Sequence, residues 1–176
     1  MLDGVWRMPA PHVRAGRGTD SGQRLDDCSG AEQRSKQHAQ DGGRNVSYAI
    51  NHIHLKAHDP AKSAAWWVEA FNFRIISDTV REGPGDRFVT CESENGIRVN
   101  ISGARTGEAL GPGDAGVHEG LEHFGLDSSD LETDIARLEQ LGATLLDGPI
   151  EGPAARICFM RAPDDVRIEL IQRLQG

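Results

Sequence analysis

Apolar and polar residues alternate from position 52: Ile53, Leu55 and Ala57 fall on one side, His52, His54 and Lys56 on the other. That period of two is the mark of a half-buried strand. Asp59-Pro60 follows and reads as a helix start. An aspartate oxygen can accept from the unpaired amides of a first turn, and proline at the first helical position has no amide to lose. The helix is expected to run to about Phe71, with Trp66, Trp67, Ala70 and Phe71 as its apolar bulk. Strands are expected over 73–79, 87–92 and 97–102, divided by Gly83-Pro84-Gly85 and by the Asn95-Gly96 hairpin signal.

After a glycine-rich stretch, 103–120, the order repeats. Phe124 and Leu126 alternate with His123, Gly125 and Asp127, and Asp130, or Ser129 with Glu132 as a capping box, opens a second helix. Leu131, Ile135, Leu138 and Leu141 form its apolar stripe, and Gly142 ends it. Further strands are expected over 144–146, 156–160 and 166–171, with a Pro163-Asp164-Asp165 turn before the last. The pattern is βαβββ, connector, βαβββ. Matching halves imply a duplication, and in a chain this short they should share one sheet system. The expected class is therefore α+β, with two βαβββ modules forming a curved mixed sheet around a cavity. Module 1 would span about 48–102, the connector 103–120 and module 2 about 121–174, together one domain.

Residues 1–47 lie outside this pattern. They are rich in Gly, Arg, Asp, Gln and Ser and show no periodicity. Such a segment cannot bury enough surface to offset the entropy of ordering it, so a disordered N-terminal extension is expected. The net charge of −8 argues against a nucleic-acid partner, since phosphate contacts need a basic face. No apolar run approaches the roughly 20 residues of a membrane span, and no signal-peptide pattern is present, so the expected location is the cytoplasm. Cys28, Cys91 and Cys158 form no CxxC and are odd in number, which speaks for reduced thiols rather than a disulfide framework or a zinc ribbon.

Strand register selects the chemistry. The polar faces carry His52 and His54 in the first strand, Asn100 beside Arg98 and Ser102 in the fourth, His123 in the first strand of the second half, and Glu169 beside Arg167 in the last. An isolated histidine on a polar strand face is ordinarily a solvated residue. Here His52 and His123 recur at the same place, seven residues before the capping aspartate each time, and Asn100 and Glu169 hold equivalent places in the two closing strands. Two sheets curling toward each other would bring His52, Asn100, His123 and Glu169 around one point. Two imidazoles, a carboxylate and an amide oxygen suit a divalent ion such as Ni, Co, Mn, Zn or Fe, with positions left for water or substrate. His54 has Gly125 as its counterpart, so it stands apart as a cavity residue.

The stretches INHIHLKAHDPAKSAAWWVEAF and GLEHFGLDSSDLETDIARLEQLGA resemble the two half-motifs of the vicinal oxygen chelate superfamily, and MRAPDDVRIELIQ resembles its closing segment. That group comprises glyoxalase I, methylmalonyl-CoA epimerase, extradiol dioxygenases, fosfomycin-inactivating transferases and bleomycin-binding proteins. The resemblance covers about residues 48–174. It implies His52, His123 and Glu169 as metal ligands, with Asn100 where the family carries Glu or Gln. Asn72 replaces the usual glycine after the first helix.

The resemblance further implies a divalent-metal-dependent lyase or isomerase of the glyoxalase I or epimerase type, acting on a small substrate with vicinal oxygens. Glu169 would then double as acid or base, and His54 is the sequence's own candidate for that role. An Fe(II) extradiol-type dioxygenase is the alternative, because two histidines and one glutamate also form the facial triad. A metal-free drug-binding protein is the third reading, disfavoured by the retained ligands. A homodimer is expected. No residue is assigned to an organic cofactor.

Overall fold

The computed structural model describes residues 48–174. The expected disordered extension, residues 1–47, lies outside the described residues. Module 1 runs β1 (His52–Lys56), α1 (Pro60–Phe71), β2 (Arg74–Val80), β3 (Arg87–Glu92) and β4 (Arg98–Ser102). Module 2 runs β5 (Phe124–Asp127), α2 (Leu131–Gln140), β6 (Thr144–Glu151), β7 (Ala155–Ala162), a single 3-10 turn (Pro163–Asp165) and β8 (Val166–Arg173). The duplication takes the form of two four-stranded mixed sheets, ordered β1-β4-β3-β2 and β5-β8-β7-β6. In each, the first strand pairs parallel with the last and the other pairs are antiparallel.

Local chemistry sets the helix ends. Asp59 Oδ1 accepts from Lys62 N at 3.1 Å ahead of Pro60, and Asp130 Oδ1 accepts from Thr133 N at the same distance. Asp130, not Ser129, is therefore the second cap. Asn72 takes φ 55°, the left-handed conformation that asparagine tolerates better than most side chains. The sheets bury the faces that period two marks out: Val89, Cys91, Val99 and Ile101 under α1, and Cys158, Met160, Ile168 and Leu170 under α2.

Trp67 links the halves. It is fully buried, its ring lies 5.7 Å from both Phe73 and Phe124, and the neighbouring Trp66 Nε1 donates to Leu141 O at 2.9 Å. The tryptophans of α1 are thus core anchors between modules.

β6 is longer than the expected 144–146. It continues through Gly148-Pro149 to Glu151 because its register with β7 shifts twice, between Leu145 and Asp147 and again before Ile150. Bulges absorb the extra residues, and on an edge strand proline can direct its missing amide away from the ladder. β7 and β8 likewise extend beyond the expected 156–160 and 166–171. β5 begins at Phe124, so residues 121–123 enter the sheet without belonging to its ladder.

Candidate metal centre

β8 projects Glu169, and the segment just before β5 projects His123. Glu169 Oε2 lies 3.5 Å from His123 Nε2. The other ring nitrogen, Nδ1, is hydrogen-bonded to Glu122 Oε2. The edge of the ring rests on Phe159, centroids 5.2 Å apart. Across the β5–β8 pair, Gly125 faces Glu169. A Cβ there would stand 3.5 Å from Glu169 Oε2 and 3.0 Å from Ile171 Cδ1, so the glycine keeps space beside the carboxylate.

Behind Glu122 stands Arg167, only 8 % exposed. Its Nε lies 2.7 Å from Glu122 Oε1, an ion pair by distance although the N–H is off the angle of a well-formed hydrogen bond. Its Nη1 donates to Ala115 O in the connector at 3.0 Å, and the guanidinium sits 4.3 Å above the Phe159 ring. Arg156 is similarly occupied, by Glu132 and Glu151. Arg156 and Arg167 thus both meet the chain's own carboxylates.

Module 1 holds its candidates differently. His52 Nδ1 is 2.9 Å from Asn51 Oδ1. Asn100 Oδ1 accepts from Thr90 Oγ1 at 3.1 Å. His54 Nε2 is 2.9 Å from Ser102 Oγ, and its ring edge meets Phe88 at 5.4 Å. Partial burial first, then the nearby positive charge of Lys56, hold the His54 pKa below the ordinary histidine value of 6.5. Among the described residues no group of three or more His, Cys, Asp or Glu is gathered closely enough to hold a metal ion. His123 and Glu169 are together; His52 and Asn100 are bonded within their own module.

A cavity of about 500 Å³ opens between β1, the connector and the start of β8. His54 and Lys56 line it from module 1, His123, Glu122 and Arg167 from module 2. Its volume is that of a small-molecule site. His58 and His118 also reach its wall. His118 is engaged by backbone, with Nδ1 2.9 Å from Gly116 O and Nε2 3.2 Å from Leu121 O.

The sequence model of the Glyoxalase/Bleomycin resistance protein/Dioxygenase superfamily matches residues 49–170. The chain belongs to this superfamily. Among solved structures, it is similar to a glyoxalase family protein from Bacillus cereus, with 16% identity over 76% of this chain and 99% of that one, TM-score 0.67. A glyoxalase I mutant from Zea mays gives 19% identity over 73% of this chain and 46% of that one, TM-score 0.59. A fosfomycin resistance protein from Listeria monocytogenes gives 16% identity over 74% and 95%, TM-score 0.55. At such identities the likeness is one of fold. Among curated protein sequences none matches this chain.

Members of this superfamily act on small molecules and commonly use divalent metal ions. The donor chemistry of module 2 fits such an ion. An imidazole nitrogen and a carboxylate oxygen already stand 3.5 Å apart, close to the roughly 3 Å that separates adjacent ligands at bond lengths near 2.1 Å. The opposite nitrogen of the ring is bonded to a carboxylate, the usual arrangement behind a metal-bound histidine. Sequence reading selected His123 and Glu169 but missed Glu122. Strict alternation would turn Glu122 away from His123, and only the late start of β5 lets the two neighbours bond.

Proposed function

We propose that this superfamily member is a divalent-metal-dependent lyase or isomerase acting on a small substrate with vicinal oxygens. The carrying observation is the Glu122–His123–Glu169 arrangement beside the 500 Å³ cavity. His123, Glu169 and His52 would hold the ion, with Asn100 as a fourth donor. A bound divalent ion would supply a Lewis acid able to polarise a substrate carbonyl.

The chain's own residues would do the rest. Glu169 lies at the site and can take or return a proton at its free carboxylate oxygen. His54 opens onto the same cavity, and with its Nε2–H donating to Ser102 Oγ its Nδ1 would be the atom to accept a proton from substrate. Phe159 and Phe88 give the two histidine rings apolar supports. Lys56, tied to Gly103 O and Glu108, fixes the connector beside the cavity.

A second reading is an Fe(II) extradiol-type dioxygenase. It is favoured by the Thr90 bond on Asn100 Oδ1, which leaves two histidines and one glutamate as the donor set. The metal-free drug-binding reading stands third. We further propose a homodimer located in the cytoplasm. No helix among the described residues is long and apolar enough to cross a membrane.

Elemental analysis of the purified protein, followed by oxygen uptake with catechols, tests these readings. Stoichiometric metal without oxygen uptake supports the lyase or isomerase. Stoichiometric iron with oxygen uptake supports the dioxygenase, and neither bound metal nor affinity for added Mn, Co, Ni, Fe or Zn overturns both.

A further inference from the structure

We propose that Glu122, clamped by Arg167, is a positioning residue that fixes the ring of His123 and presents its Nε2 lone pair to the site; the proposal rests on the metal reading above. A neutral imidazole carries one proton, and its place is set by the bond that the other nitrogen makes. An ionised carboxylate can only accept. With Glu122 Oε2 bonded to Nδ1, the proton belongs on Nδ1 and Nε2 is free, 3.5 Å from Glu169.

The second oxygen of Glu122 is also taken. Arg167 holds it, and Arg167 is itself fixed by the Ala115 carbonyl and by stacking on Phe159. Phe159 closes the circle by supporting the edge of the His123 ring. Four parts of module 2 and its connector therefore converge on one imidazole. Because both Glu122 oxygens are engaged, the residue orients the ligand and does not itself replace Glu169 at the ion.

Nitrogen-15 NMR of the metal-free wild type, at a pH where the ring is neutral, tests the proton's place. The expected signature for His123 is a protonated Nδ1 and an unprotonated Nε2, and the reverse tautomer overturns the proposal. Cobalt(II) titration then reads the consequence. Glu122→Gln and Glu122→Ala should weaken cobalt binding by about 10- to 100-fold, the usual cost of losing a carboxylate behind a ligand histidine. In a His123→Ala background the same substitutions should add nothing. Binding by folded Glu122 variants within about twofold of wild type would mean that Glu122 merely neutralises Arg167, and overturns the proposal. A wild type that binds no cobalt overturns the metal reading instead, and the tautomer then decides Glu122's action on the ring by itself.

Discussion

Asp86 shows how a single charge supports the cavity from behind. It is 2 % exposed, and its carboxylate accepts from Arg81 Nε at 2.9 Å and Nη2 at 2.6 Å. Arg81 in turn sits 4.5 Å above Phe88, the ring that supports His54. The hydrogen bonds from Arg81 hold the Asp86 pKa below its ordinary value of 3.8. A carboxyl depressed in the folded state contributes stability that is complete above its unfolded pKa and is lost as pH falls through the folded one. Asp86→Asn should therefore lower the thermal midpoint at neutral pH, and the gap to wild type should close as pH falls below about 3.9. Midpoints measured across that range check it, and a gap independent of pH would contradict it. The two buried thiols behave otherwise. Burial pushes Cys91 and Cys158 up to about 11, so they pack as small apolar groups and are not nucleophiles at neutral pH.

Strands and helices were legible in the sequence where a local rule governs them. Asp59-Pro60 set the start of α1, Asn95-Gly96 set the β3–β4 hairpin, and alternation at Val89-Cys91 and Val99-Ile101 set the buried faces. The extension of β6 through Gly148-Pro149 was not legible, because two bulges and an edge position override the local preference against proline in a strand. Alternation set Glu169 apart from the buried Ile168 and Leu170 of β8, whereas His123 lies ahead of the β5 ladder, and the bonds of His52 to Asn51 and of Asn100 to Thr90 depend on rotamers that no pattern encodes. Packing makes the elements sensitive in calculable ways. Leu138 is fully buried on the inner face of α2, and Leu138→Ala should cost about 2–5 kcal/mol, measured by denaturant unfolding. Gly113 carries the connector over the Pro163–Asp165 turn, where an added Cβ would lie 2.5 Å from the Asp164 carbonyl oxygen. Gly113→Ala should cost about 1–3 kcal/mol through that clash with backbone, and a change below about 0.5 kcal/mol would refute the close approach.

Taken together, the two modules share a core through Trp67 and a cavity through His54 and His123, yet they divide the proposed donors unequally. Module 2 holds a prepared pair; module 1 holds His52 and Asn100 in bonds of their own. The polar side of the first sheet is also open, with His52, His54, Lys56 and Arg98 exposed. The proposed homodimer predicts a particle of twice 19.1 kDa by light scattering. A particle of one chain mass would contradict it. Mixing His52→Ala with Glu169→Gln chains adds the site's ownership: recovered metal binding would mean that two copies share each site, and no recovery that each chain builds its own.

Calorimetric titration of the metal-stripped protein with nickel(II) or cobalt(II), run on wild type, His123→Ala, Glu169→Gln and His52→Ala, bears on all of this. The account predicts one ion per chain for wild type, strongly weakened binding in the His123 and Glu169 variants, and a smaller weakening in the His52 variant. A wild type that takes up no ion, or a Glu169→Gln chain that binds as wild type does, would contradict it.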